Sequence, residues 1–280
     1  MKTIDILFFG DIVGRSGRTG VKWYLSTLTG ADKPDVVIAN VENASHGFGL
    51  TPKNYQELLE SGLDIMTGGN HIWDKKELIH MDGADRLLRP ANFPENNAGV
   101  GAKVFEFDGF KLGVLNLIGQ VFMGSYNSPW EKVEYWVPKL LEETPMVFID
   151  CHGEASAEKI ALAHYASSFG ASAFTGTHTH VQTADERIFN NHTGYLTDTG
   201  FNGAYDSIIG MQINLAVEKL RTMYPERNEV ADSPLVQINA TRFTLNTATG
   251  ACVKIERINL VQDLEKLTSP IPAVSASANS

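Results

Sequence analysis

The chain has 280 residues, of which 43% are hydrophobic and 20% charged, enough apolar content to bury one large α/β core. Its 23 Lys plus Arg against 33 Asp plus Glu leave a formal net charge of -10, which repels the backbone of long nucleic acids but is compatible with a small phosphorylated substrate held through bound cations. The two cysteines, Cys151 and Cys252, lie far apart with no CxxC spacing, which excludes a disulfide framework and a cysteine zinc site and fits a reducing compartment.

The first apolar run, Ile4 to Phe9, is interrupted by Asp5 and is too short for a signal peptide or a membrane span, so the expected location is the cytoplasm, with no membrane association. Runs at Ile4 to Phe9, Val36 to Val41, Leu112 to Ile118, Met146 to Ile149 and Ala171 to Phe174 read as buried strands. Helices are predicted over Pro52 to Leu59 after Thr51, over Pro129 to Leu141, and over Ala155 to Phe169. The second has Ser128 as N-cap, Pro129 at its first position and Glu131 to complete a capping box. Leu235 to Leu245 and Cys252 to Ile258, joined around Gly250, read as a hairpin. The predicted fold class is therefore α/β, with layered mixed β-sheets in a sandwich-like pair and helices outside. One domain is expected over residues 1–267, and the Ser, Ala and Pro-rich stretch 268–280 is expected to be disordered.

Polar residues with metal-ligand chemistry fall where the strands end. The first strand runs into Gly10-Asp11, the second into Glu42-Asn43, and Leu63 to Thr67 into Gly68-Gly69-Asn70-His71; Asp150-Cys151-His152 and His178-Thr179-His180 follow. Ligands of α/β sheets collect outside the carboxyl ends of the strands, so these segments can converge. Alternate residues of an extended segment face the same way, which predicts that His178 and His180 both face one cluster. Carboxylate, amide oxygen and imidazole without thiolate suit first-row divalent or trivalent metals. A carboxylate such as Glu42 can bridge two ions, and two ions roughly 3.5–4 Å apart clamp a phosphate and activate water for in-line displacement. The chemistry indicated is phosphoester hydrolysis.

In type and order, Gly69-Asn70-His71, His152 and His178-Thr179-His180 resemble the calcineurin-like metallophosphoesterases, whose pattern runs D-x-H, G-D, G-N-H, a lone His and G-H-x-H. Val13 stands where that pattern has its first histidine, and Glu42-Asn43 replaces its G-D aspartate. These departures are similar to the YmdB-type branch of bacterial phosphodiesterases. That resemblance runs through Gly10-Asp11-Ile12-Val13-Gly14, Gly47-Phe48-Gly49, Arg89-Pro90-Ala91-Asn92, His152-Gly153-Glu154-Ala155 and Tyr205-Asp206-Ser207.

The resemblance implies the calcineurin-like fold and two metal ions, iron or manganese. It implies that Asp11, Glu42, Asn43 and His180 hold one ion, and that Glu42, Asn70, His152 and His178 hold the other. It further implies that His71 donates the proton to the leaving alkoxide, that the substrates are cyclic nucleotides, 2′,3′-cyclic first and 3′,5′-cyclic AMP second, and that the protein is a homo-oligomer. Two other readings use the same residues: a nucleotide-binding regulator that retains the metal site, and an RNA-processing nuclease, which needs a basic track that the composition does not supply.

Several features have alternative readings. Glu154 is either a partner of His152 or a helix-start carboxylate. Trp130, Tyr135 and Trp136 either stack on a base or pack the helix. His46, His80, His164 and His192 lack matching partners, although His46 lies near Glu42-Asn43. Gly14 to Gly20 is not a Walker A loop; its glycines are expected to shape the turn behind Asp11, with Arg15 and Arg18 as solvated or intersubunit charges. No G-x-S-x-G serine-hydrolase elbow is present.

Overall fold

A computed structural model describes residues 2–225 and 228–268. The chain opens with β1 (Thr3–Phe9), β2 (Asp11–Ile12), α1 (Gly14–Thr27), β3 (Val36–Asn40), α2 (Pro52–Glu60), β4 (Ile65–Thr67) and β5 (Leu87–Leu88). It continues with β6 (Ala102–Phe107), β7 (Phe110–Ile118), α3 (Pro129–Leu141), β8 (Val147–His152), α4 (Ser156–Ser168), β9 (Ala173–Thr177), β10 (Arg187–Phe189) and β11 (Thr193–Leu196). It closes with β12 (Phe201–Ala204), α5 (Ile213–Thr222), the hairpin β13 (Leu235–Asn246) and β14 (Cys252–Asp263), and the short α6 (Glu265–Thr268). Residues 269–280, most of the tail expected to be disordered, lie outside the described residues. No described helix is long and apolar enough to cross a membrane.

Two mixed sheets carry these strands. The first runs β2-β12-β13-β1-β3-β4-β5, with β14 also paired to β13; the second runs β10-β11-β9-β8-β7-β6. In the first, β1, β3, β4 and β5 are mutually parallel. In the second, β7, β8, β9 and β11 are parallel.

The near-continuous apolar composition of β1 follows from burial on both faces. Ile4, Ile6 and Phe8 join Val36, Ile38, Leu112, Val114 and Phe148 between the sheets. Leu7 and Phe9 face the helix layer, where Val21, Tyr55 and Leu58 pack. On the far side, Val133, Val137 and Leu140 of α3 and Leu162, Ala163 and Ala166 of α4 cover Leu115, Leu117, Val147 and Ile149. The result is a sheet pair with helices on both outer faces, as the sequence predicts. Full burial of each such side chain contributes about 1.5–3 kcal/mol.

The Pro129–Leu141 helix has its predicted bounds, with the Ser128 hydroxyl accepting from the Glu131 amide at 3.3 Å. The strands predicted at Met146 to Ile149 and Ala171 to Phe174 extend further, to His152 and Thr177. The added segments are fully buried, and hydrogen bonds described below satisfy their polar residues Asp150, His152 and Thr177.

Gly14 to Gly20 departs from its expected role. Gly14 turns the chain at φ +60°, but Gly17 and Gly20 lie inside α1 on its inward face. A Cβ on Gly17 would stand 2.3 Å from the Asn202 carbonyl oxygen, and one on Gly20 2.8 Å from Ile238 Cδ1, so both glycines serve the close approach of α1 to β12 and β13. Arg18 is not a solvated charge: only 12% of its side chain is exposed, and it bonds Ala44 O and Glu57 Oε2. Arg15 is exposed and pairs with Asp232.

Glycine inside a helix ordinarily costs roughly 0.5–1 kcal/mol relative to alanine. Here the backbone contact reverses the sign. Gly17→Ala is expected to lower stability by about 1–3 kcal/mol, read as a lower urea midpoint at unchanged slope; an unchanged or higher midpoint would refute the close-approach role.

Candidate metal centre

The carboxyl ends of β1, β3, β4, β8 and β9 open on one side of the sheet pair, and each delivers the polar segment that follows it. His152, on the last residue of β8 and fully buried, is the focus. Its Nε2 lies 3.0 Å from Glu42 Oε1, 3.1 Å from Asn70 Oδ1 and 3.0 Å from His178 Nδ1. Ligand atoms of Glu42, His152 and His178 lie within 4.8 Å of one another, a group that could hold a metal ion.

Beside this group, Asp11 is fully buried. Its Oδ2 accepts from the His178 amide at 2.9 Å, while its Oδ1 has no hydrogen-bond partner and lies 3.7 Å from His152 Nδ1 and 3.9 Å from His180 Nε2. His180 donates through Nδ1 to the carbonyl of Ile209 at 2.8 Å; because a carbonyl only accepts, the Nε2 lone pair is left facing the cluster. The ring stacks on Phe201. Asn43 stands between the two groups, its Nδ2 3.3 Å from both Glu42 Oε1 and His180 Nε2, so ligation through Oδ1 requires the amide to turn over. Val13, at the position of the missing histidine, is buried against Gly210, whose Cβ would lie 2.7 Å from Val13 Cγ1. It thus supports the loop that holds His180.

All seven residues predicted as ligands, Asp11, Glu42, Asn43, Asn70, His152, His178 and His180, therefore meet. Their local geometry departs from expectation at His178-Thr179-His180, which is not extended: β9 stops at Thr177, and His178 and His180 have φ of 103° and 60°. The imidazoles reach different neighbours, His152 and Asn43.

His71 lies at the rim of the cluster with 34% of its side chain exposed. Its amide donates to Glu42 Oε2 at 2.9 Å, and its Nδ1 lies 2.8 Å from Asp74 Oδ2. A carboxylate acceptor there places the proton on Nδ1 and turns Nε2 outward. Phe48 meets the ring edge-on. With Glu42, His178 and His180, these two residues line an open cleft of about 350 Å³. That size suits a small molecule.

Beneath the cluster lies a polar layer that sequence reasoning did not assign. Thr177 Oγ1 is 3.0 Å from His152 Nδ1 and donates to Asp150 Oδ1 at 2.9 Å; its donor is thereby committed, so His152 supplies the proton and keeps Nε2 free. Asp150 also accepts from Thr67 and Asn40. Burial pushes its carboxyl up to about 7 against those hydrogen bonds. The legible signal was alternation along β8, since Asp150 and His152 share a face. A second buried unit is Lys159 Nζ, 2.7 Å from Asp198 Oδ2.

Glu154 does not support His152; its Oε2 is 3.2 Å from His178 Nε2. Trp130 packs on Tyr165, and neither it nor Tyr135 or Trp136 lines the cleft. His46 is exposed, His164 stacks on Phe189, and His192 faces the Gly170 carbonyl.

The electrostatics suit a cation. Burial, opposed mainly by His180 and His152, raises the Asp11 carboxyl above its usual range. Burial works against both charges of the Glu42–His152 contact, yet their mutual attraction holds Glu42 low and lifts His152. Burial and the neighbouring His152 push His178 down. An orphaned buried carboxylate oxygen beside the imidazoles of His152 and His180 fits a metal, as does the crowding at Gly69, where a Cβ would lie 2.3 Å from Glu42 Oε2 and His152 Cδ2.

Comparison with known proteins agrees with this architecture. A family model described as YmdB-like protein matches residues 7–258. A Bacillus subtilis (strain 168) protein named 2′,3′-cyclic-nucleotide 2′-phosphodiesterase is 43% identical over 259 residues, covering 92% of this chain and 97% of its own. The crystal structure of a novel phosphatase from Mycoplasma pneumoniae superposes with a TM-score of 0.86 at 31% identity, covering 96% of this chain and 98% of that one. That of a hypothetical protein from Thermus thermophilus gives 0.84 at 34% identity, covering 92% and 100%. The layered sheets are those of the metallophosphoesterase fold, and the chain belongs to the YmdB-like family.

Proposed function

We propose that this protein is a dinuclear-metal phosphodiesterase that hydrolyses cyclic nucleotides, 2′,3′-cyclic and also 3′,5′-cyclic AMP, by attack of activated water. The observation that carries the reading is the convergence of Glu42, Asn70, His152 and His178 on one point, with the unpartnered Asp11 Oδ1 beside it. The name of the Bacillus subtilis relative supports the substrate class.

Asp11, Glu42, Asn43 and His180 would hold one ion, and Glu42, Asn70, His152 and His178 the second, with Glu42 shared; iron or manganese suits the donor set. When bound, such a pair supplies neutralisation of the phosphoryl oxygens and activation of water. The chain's own contribution is placement. Thr177 and Ile209 O leave His152 and His180 each with Nε2 toward the cluster, and the His71 amide fixes the second oxygen of Glu42. With Nδ1 donating to Asp74, His71 presents Nε2 to the open cleft; in its doubly protonated form the ring would give the Nε2 proton to the departing alkoxide and be left neutral, with Nδ1–H still on Asp74. The proposal extends to a single catalytic domain over residues 1–267, a cytoplasmic location and a homo-oligomer. The exposed Ile213, Val217 and Leu220, at helical spacing on α5, support the oligomer.

Chelation is expected to abolish hydrolysis of 2′,3′-cyclic AMP, with manganese or iron restoring it; stoichiometric metal analysis of the isolated protein checks the site directly, and a protein that takes up no metal sinks the proposal. A panel with 3′,5′-cyclic AMP, phosphomonoesters and single-stranded RNA separates the readings: tight binding without turnover selects a regulator, and preferential RNA cleavage a nuclease. His71→Ala is expected to keep its metal while kcat falls by about 10²–10⁴-fold. Loss of metal together with activity would make His71 structural instead. Glu42→Ala should lose both ions, whereas Asn43→Ala should weaken only the ion shared with Asp11 and His180. Equal metal content in these two variants would contradict the bridge.

A further inference from the structure

Thr179, the residue between the two histidines, has its hydrogen bonds with Asp198 and Val181 and none to the predicted ligand side chains, yet the turn is held through it. Its amide donates to Asp198 Oδ2 at 3.2 Å and its hydroxyl to the same oxygen at 2.8 Å. That oxygen also receives Lys159 Nζ at 2.7 Å, in an ion pair with side-chain exposures of 0% and 1%. Lys159 in turn donates to the Thr177 carbonyl at 3.3 Å, so one buried pair grips the chain on both sides of His178. The other oxygen of Asp198 accepts from the Gly200 amide at 2.8 Å, which ties the pair to the start of β12.

This grip is placed where the backbone needs it. His178 and His180 both have left-handed φ, which L residues with a Cβ rarely adopt and which persists only when the surroundings over-determine it. In an extended segment both imidazoles would lie on one side. The turn instead sends His178 Nδ1 to within 3.0 Å of His152 and His180 Nε2 to within 3.3 Å of Asn43. A carboxylate paired with a buried ammonium is a fixed acceptor, because separating the pair would leave an uncompensated charge in the interior.

We propose that Thr179 is a positioning residue of the metal site: anchored by the Asp198–Lys159 pair, it holds the left-handed turn that splits His178 and His180 between the two ends of the donor cluster. The inference rests on the proposed metal site and goes beyond it, since Thr179 is not one of the proposed ligands. Partners that orient ligands typically change metal affinity 10–100-fold when removed.

The test compares wild type with Thr179→Val, which keeps the β-branch and removes the hydroxyl, and Thr179→Ser, which restores the hydroxyl. Mn²⁺ is titrated into each metal-free protein, with unbound ion read from its electron paramagnetic resonance signal. Thr179→Val is expected to bind Mn²⁺ about 10–100-fold more weakly while the metal-free protein melts as the wild type does. Thr179→Ser is expected to recover wild-type affinity. Unchanged affinity in Thr179→Val overturns the inference, as does a loss that Thr179→Ser fails to repair or that accompanies a lowered melting temperature of the metal-free protein. A wild type that takes up no Mn²⁺ sinks the proposed function and this inference together, whereas wild-type uptake with an unaffected valine variant removes only the inference.

Discussion

Two carboxylates, Asp11 and Glu42, are taken out of water at the junction of the two sheets, with 0% and 1% exposure. Negative charge in such a place must be matched by positive charge, by hydrogen-bond donors or by a proton. Glu42 receives the His71 amide and Asn43 and lies 3.0 Å from His152 Nε2; Asp11 receives the His178 amide and leaves one oxygen without a donor. The architecture around them follows from that demand. Parallel strands end together there, three imidazoles face the carboxylates, and glycine stands at position 69, where a Cβ would occupy the same space.

The imidazoles serve this arrangement only if each offers a lone pair rather than a proton. At His180 that choice is made by the Ile209 carbonyl, and at His152 by the Thr177 hydroxyl, whose own proton goes to Asp150. Buried polar groups beneath the candidate metal site thus act as a tautomer-setting layer. At His71 the carboxylate of Asp74 likewise takes the Nδ1 proton, but this ring lines the open cleft instead of lying buried in the cluster. Position relative to the buried carboxylates and the open cleft, rather than residue type, separates histidines suited to ligation from the one suited to proton transfer.

Much of the fold was legible because burial leaves direct marks on composition. Runs such as Ile4 to Phe9 are apolar on both faces since both faces are covered, and the start of α3 is written in Ser128, Pro129 and Glu131. The misread segments carry marks that point the wrong way. Gly17 and Gly20 lower helix propensity, yet α1 forms because they let it lie against β12 and β13. The polar ends of β8 and β9 look like loop, because a sequence does not show that Asp150, His152 and Thr177 satisfy one another in the interior. Arg18 looks like a surface charge until Ala44 O and Glu57 are placed beside it.

The sequence by itself determined the layered α/β architecture, the seven ligand-type residues and their arrival at strand ends, because hydrophobic periodicity and strand polarity are local properties of the chain. It carried the family as well, through the motifs around Glu42-Asn43 and His178-Thr179-His180. Only the tertiary structure decided which atom of each imidazole faces the cluster, that Glu154 meets His178 rather than His152, and that a turn rather than an extended strand separates His178 from His180. Each of these depends on acceptors supplied from far along the chain, Ile209, Asp150 and Asp198, and a hydrogen bond between distant residues exists only once the fold has brought them together.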